Sequence, residues 1–159
     1  MPNCSAIVPN PYDISPIRSP QQVHSLLASY VRDKSIVELG TRNGDGMACF
    51  ARSARSAVAV EIAPKYCAKL EARAAELPAG RTFTVLCKRY QMGLPDADVY
   101  TWWEQPPSFK DRDVLQYLRQ QQDKGHIRAS AEAVLLVDTS FRLDLKSWAT
   151  LKHRAAWQV

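Results

Sequence analysis

One stretch limits the folds open to this chain more than any other. Ser35-Ile-Val-Glu-Leu-Gly40 is a short apolar run that passes directly into Thr41-Arg42-Asn43-Gly44-Asp45-Gly46. An apolar run closed by glycines reads as a buried strand entering a tight turn, because glycine takes left-handed backbone angles at no steric cost. Residues 46 to 55 then suit a helix, with Met47, Phe50 and Ala51 on one face. Ala57-Val-Ala-Val-Glu61 is a second buried strand. Residues 35 to 61 therefore read as one strand–helix–strand unit.

The alternation continues. Pro64 opens a helix with an apolar stripe of Ala63, Cys67, Leu70, Ala74 and Leu77, and Pro78 and Gly80 stop it. Thr82 to Cys87, Ala97 to Trp103 and Ala133 to Val137 read as three further strands. Ser108 can cap a helix carrying Val114, Tyr117 and Leu118, and a last helix starts near Asp144. The strands are continuously apolar, so both faces of their sheet are covered. Right-handed crossovers then give a doubly wound α/β domain with helices on both faces. Ahead of it, Ser19, Pro20 and Gln22 form a helix start, followed by Val23, Leu26, Leu27, Tyr30 and Val31 as one apolar face. Residues 1 to 18 hold four prolines and read as an extended arm, which leaves 19 to 159 as a single domain.

In such a sheet a ligand binds outside the carboxyl ends of the strands, where strand order reverses. The first strand ends there, and glycines let a ligand approach its backbone. The next helix offers free N–H groups at its start. Glu61 closes the second strand 21 residues after Gly40, where a carboxylate can accept from both ribose hydroxyls. The glycine spacing also resembles the loop of short-chain dehydrogenases, which use nicotinamide cofactors. That family needs a Tyr-x-x-x-Lys pair downstream of the loop, and the spacing here, Tyr30 to Lys34, lies upstream. Glu38 would also repel a pyrophosphate. It suits a cationic ligand bearing an amino group.

On these residues the chain resembles the class I S-adenosylmethionine-dependent methyltransferases. Val37 to Gly46 looks like their first motif, and Ala57 to Glu61 like their second. The order of elements is similar from about residue 20 to 140, and the specific part is 35 to 62. The resemblance implies a Rossmann-like, mainly parallel sheet of about five strands in the order 3-2-1-4-5. It also implies S-adenosylmethionine as cofactor. Glu38, Gly40, Thr41, Asn43 and Gly44 would line its methionine part, Glu61 would hold the ribose, and Arg42 and Ile62 would also contact the cofactor. Trp102, at a strand end, could stack on the adenine. Arg42 stands where the family commonly has a middle glycine. Family members continue past the fifth strand with an antiparallel pair, whereas this sequence ends at Val159.

Methyl transfer depends on an aligned nucleophile more than on acid–base groups. The remaining pocket is expected at Lys88 to Tyr90, Trp102 to Pro107 and Asp138 to Ser140. Gln105-Pro-Pro-Ser108 is similar in place to the Asp/Asn-Pro-Pro-aromatic motif of amino-group methyltransferases, without its first and last residues. Glu104 and Asp138 are the candidates for a catalytic base or amine-orienting acid. The expected function is methyl transfer to an unidentified small molecule, protein or RNA. The alternatives are a non-catalytic cofactor-binding or scaffold module, serving as a partner subunit or RNA binder, and an NAD(P)-dependent oxidoreductase.

The bulk properties exclude other classes. Charged residues are 23% and hydrophobic residues 46%, so the chain reads as globular, not disordered. No apolar run is long enough to span a bilayer and no signal peptide is recognisable, which predicts a cytoplasmic protein. The net charge of +5 comes from scattered basic residues and permits an acidic partner without requiring one. Cys4, Cys49, Cys67 and Cys87 lack metal-binding spacing and are expected as reduced, mostly buried thiols. His24, His126 and His153 lack the spacing of a shared metal site, so no metal is expected. The fifth strand is expected at an open edge, completed by another subunit, by the arm, or left bare in a minimal form.

Overall fold

In the computed structural model, which describes residues 2–9, 20–104 and 109–137, five parallel strands form one sheet. The elements are α1 (Cys4–Ile7), α2 (Pro20–Tyr30), β1 (Ser35–Leu39), α3 (Asp45–Phe50), β2 (Ser56–Glu61), α4 (Pro64–Glu76) and β3 (Thr84–Cys87). A single 3-10 turn (Tyr90–Met92), β4 (Val99–Glu104), α5 (Phe109–Asp123) and β5 (Glu132–Val137) follow. The strand order is β3-β2-β1-β4-β5, and every pairing is parallel. The chain runs outward from β1 through β2 to β3, then crosses back to β4 and β5. The switch point therefore lies between β1 and β4, where Leu39 is in register with both Val60 and Trp102.

The two sheet faces bury different partners. Ile36, Ala57, Ala59 and Val99 pack under α1 to α4 with Leu27, Met47, Phe50 and Leu70. Val37, Leu39, Val60, Tyr100 and Trp102 pack on the other face with Val114 and Leu118 of α5. Alternate residues of one strand thus enter different cores, which is why the strand sequences show no polar alternation.

The amino ends of β1 and β4 are fastened together. Asp98 Oδ2 accepts from Ser35 N at 2.7 Å and Ser35 Oγ at 2.8 Å, and Arg55 and Arg128 flank it. The Ser35 hydrogen bonds, backbone first, and then the arginines hold the Asp98 carboxyl below its ordinary pKa. Arg128 also binds Asp96, which is lowered for the same kind of reason. This fastening is at the end of the sheet away from the glycine loop.

Several sequence expectations are adjusted. The helix after the glycine loop runs only over Asp45–Phe50, because Ser53 and Ala54 both donate to Phe50 O and fold the chain back early. β3 starts at Thr84, not Thr82, since Thr82 Oγ1 donates to Ala74 O. Within the arm, Cys4–Ile7 is a turn of helix, capped by Asn3 Oδ1, with Cys4 buried against α2 and α3. The cysteines are not free thiols: Cys4 pairs with Cys49 and Cys67 with Cys87. Chain spacing carries no sign of that, because the parallel sheet brings distant segments side by side. The cap residues Ser19 and Ser108, the Gln105–Ser108 turn, Asp138 and the helix near Asp144 lie outside the described residues. Among the described residues no helix is long and apolar enough to cross a membrane.

Candidate functional site at the carboxyl ends of β1, β2 and β4

Each of the three loop glycines answers to a different neighbour. Gly40 has φ +68°, its N–H donates to Val60 O at 2.8 Å, and a Cβ there would meet nothing within 4 Å. Its open side is where a ligand can approach the backbone. Gly44 has φ +76°, and a Cβ would lie 2.5 Å from Leu70 Cδ2 of α4. At Gly46 a Cβ would lie 2.9 Å from His24 Nε2 of α2. A Cβ at Gly44 or Gly46 would therefore meet a neighbouring helix, while Gly40 is open on that side. Arg42 takes φ +55°, so it adopts the left-handed turn that a glycine would favour.

Glu61 ties this loop to the next one. It is 5% exposed. Oε1 accepts from Ile62 N at 2.8 Å and Ala63 N at 2.9 Å, and Oε2 accepts from Arg42 N at 2.9 Å. A carboxylate has about four acceptor positions, so three amide bonds leave capacity for a hydroxyl. Ile62, 56% exposed, stands beside it as an apolar surface.

The back of the loop is held by α4. Arg73 Nη1 donates to Asn43 O at 2.9 Å and to Asp45 Oδ1 at 2.5 Å, and Lys69 Nζ donates to Asn43 Oδ1 at 3.3 Å. Thr41 Oγ1 donates to Glu38 O at 3.0 Å. The side chains of Thr41 and Asn43 thus bond to the protein itself.

A buried polar group lies on the α2 face of the switch point. Glu38 sits between Val37 and Leu39, which face α5, so it points toward α2 and α3. Its partner in register is Thr101, fully buried, whose Oγ1 has no hydrogen-bond partner among the described residues. His24, also buried, meets Phe50 and Trp103 edge-on at 5.6 and 5.5 Å, and its Nδ1 likewise lacks a partner among the described residues. Burial pulls the His24 imidazole down to about 4, against the opposing pull of Asp45, so it is neutral at pH 7. The sequence marks His24 only as a surface or packing histidine on a helix and does not mark Thr101. The signal for His24 was its spacing with Leu27, Ala28 and Val31, the residues that α2 buries; Leu26 and Tyr30 face outward instead.

The two tryptophans of β4 divide. Trp102 is 4% exposed and lies in the α5 core with Val37 and Leu39, whereas Trp103 is 39% exposed beside His24. Glu104 closes β4 opposite Val137, the last residue of β5. Asp138 follows outside the described residues. Glu38, Gly40, Arg42, Glu61 and Ile62 are brought to one end of the sheet. Among the described residues no group of three His, Cys, Asp or Glu side chains gathers as a metal site.

These features fit a nucleoside bearing an amino-acid tail. Gly40 leaves a space that a Cβ would enter, and Glu61 keeps acceptor capacity beside an apolar residue. His24 Nδ1 and Thr101 Oγ1 are buried polar atoms without a hydrogen-bond partner among the described residues.

No family model and no curated protein matches the sequence. Solved structures are similar in fold. An S-adenosylhomocysteine-bound methyltransferase from Podospora anserina is 17% identical, with a TM-score of 0.60 over 84% of this chain and 59% of its own. The CcbJ methyltransferase from Streptomyces caelestis is 15% identical, with a TM-score of 0.59 over 83% and 54%. The glycopeptide N-methyltransferase MtfA complexed with S-adenosylmethionine is 15% identical, with a TM-score of 0.59 over 72% and 48%. The chain spans about half the length of these structures. It has the Rossmann-like fold of the class I S-adenosylmethionine-dependent methyltransferases.

Proposed function

We propose that the protein binds S-adenosylmethionine and transfers its methyl group to an acceptor whose identity is open. One observation carries this reading. Arg42 N–H bonds to Glu61, which joins the loop after β1 to the end of β2 beside the open face of Gly40. In that arrangement Glu61 and Ile62 hold the nucleoside, Gly40 lets the cofactor backbone approach, and Glu38 with His24 and Thr101 faces the methionine end. The cofactor supplies an electrophilic methyl group on a sulfonium. The chain supplies orientation: a nucleophile held in line gains most of the rate available to such a step. Trp103 and Glu104, at the end of β4, are the candidates to meet an acceptor, and Glu104 is the candidate to orient an amine or take its proton.

Isothermal calorimetry with S-adenosylmethionine and S-adenosylhomocysteine tests the reading. Binding of either by folded protein supports it, and no binding of both removes it. A second reading is a cofactor-binding module without its own catalysis. Methylation of any acceptor in an RNA, protein and small-molecule panel by the purified chain would exclude that module.

A further inference from the structure

The Cys67–Cys87 pair has no task in the proposed function, yet it borders Glu61 on two sides. Cys87 ends β3 and is in register with Glu61 in the parallel ladder. Cys67 lies in the first turns of α4, with Sγ 3.6 Å from Glu61 O. The Cα atoms are 5.8 Å apart and the two residues form a disulfide. The bond therefore staples the edge strand to the turn whose amides, Ile62 and Ala63, hold the Glu61 carboxylate. The other pair is placed differently. Cys4 and Cys49 are both 0% exposed inside the core under α2. Cys87, by contrast, is exposed.

We propose that Cys67–Cys87 is a thiol-exchange site for small thiols of the glutathione class, and that its reduction loosens the β2–α4 turn and weakens ligand binding at Glu61. The part about binding rests on the cofactor reading above; the part about the turn does not.

The surroundings set the direction of the exchange. Cys87 is exposed and Cys67 is 6% exposed, so the attack falls on Cys87. An incoming thiolate bonds to it, the S–S bond breaks, and the electron pair leaves on Cys67 Sγ. Because the attack falls on Cys87, Cys67 is the sulfur that leaves. Cys87 Sγ lies 3.9 Å from Glu71 Oε1. A second small thiolate then attacks the small-molecule sulfur of the mixed disulfide, and Cys87 leaves. Both protein thiolates take protons from water. Two small thiols are oxidised to one disulfide while the protein disulfide is reduced to two thiols. In a compartment kept reducing by such thiols, this exposed pair follows their poise, while the buried pair is shielded. Once open, the turn samples more conformations, and binding must reorder them.

The test uses the full chain in graded reduced and oxidised glutathione. Alkylation and peptide mass spectrometry read the cysteines. Amide hydrogen exchange reads Arg42, Ile62 and Ala63, and calorimetry reads S-adenosylhomocysteine. Cys67 and Cys87 should be alkylated together under conditions that leave Cys4 and Cys49 unlabelled. The three amides should exchange about tenfold faster on reduction, and affinity should fall about fivefold to tenfold. C87S should reproduce the reduced behaviour without added thiol. Labelling of all four cysteines only upon global unfolding, or unchanged exchange at Ile62 and Ala63 after reduction, overturns the proposal. Equal affinity in both redox states overturns its link to binding. Loss of all S-adenosylhomocysteine binding in both states, with exchange still accelerated by reduction, supports the staple and removes the cofactor reading instead.

Discussion

Arg42 N–H donates to Glu61 Oε2 at 2.9 Å, across 19 residues and two loops. With the amides of Ile62 and Ala63 on Oε1, the carboxylate gathers three backbone donors at one point. Glu61 is therefore a structural knot as well as the candidate ribose acid. Glu61→Ala is expected to lower unfolding free energy by about 2–3 kcal/mol, and to weaken S-adenosylhomocysteine binding by about 1–3 kcal/mol, through loss of charged hydrogen bonds. Urea unfolding and calorimetry measure the two separately. An unchanged urea midpoint would mean that water replaces the carboxylate at no cost.

Arg42 holds φ +55°, which costs a residue with a Cβ about 1–2 kcal/mol. Glycine removes that cost but has more freedom to lose on folding. Arg42→Gly should therefore raise stability by a net amount of about 0.5–1 kcal/mol, read as a higher urea midpoint with the same slope. A lower midpoint would show that the arginine side chain contributes more than its backbone costs.

Arg73 and Asp45 form a largely buried ion pair behind the glycine loop. Removing one member leaves the other charge in a poorly solvated site, which costs about 3–5 kcal/mol. Arg73→Met should show a loss of that order in urea unfolding. Adding Asp45→Asn should recover part of it. Equal loss in single and double variants would mean that Arg73 acts through its bond to Asn43 O alone.

His24 gives the fold a pH dependence with a definite sign. Its pKa falls from 6.5 to about 4 on folding, with burial as the main cause. Between those values the unfolded chain binds a proton that the folded chain does not, so stability falls as pH drops through that window. No such penalty exists above pH 7. The loss approaches about 3 kcal/mol near pH 4. His24→Leu should flatten the stability profile between pH 7 and 4.5. Asp96 and Asp98 act in the same direction at lower pH: their lowered pKa values stabilise the fold above the unfolded carboxylate value, and that contribution is lost below about pH 4. A variant profile as steep as the parent's would show that other groups dominate.

Much of this was legible in residue order. The apolar runs, the glycine turn and the acid at 61 each reflect backbone rules that act over a few residues. Helix α2 was legible as a helix, but its buried stripe was offset: His24 and Ala28 are inside, while Leu26 and Tyr30 are not. Hydropathy alone favours leucine and tyrosine over histidine. The rotation was decided by the flat surface at Gly46, which admits the His24 ring, and by Phe50 beside it. Trp102 and Trp103 were likewise indistinguishable until the sheet assigned them to opposite faces.

By itself, the sequence determined the succession of strands and helices, the glycine loop after β1 and the acid closing β2. These follow from local sterics, helix starts and stops, and continuous apolarity, all of which depend on near neighbours in the chain. Only the tertiary structure decided which loop glycine is free of neighbours, that Glu61 is bound by Arg42, and which cysteines meet. Those relations join residues that parallel crossovers carry together from distant parts of the chain, and no spacing rule encodes contacts of that kind.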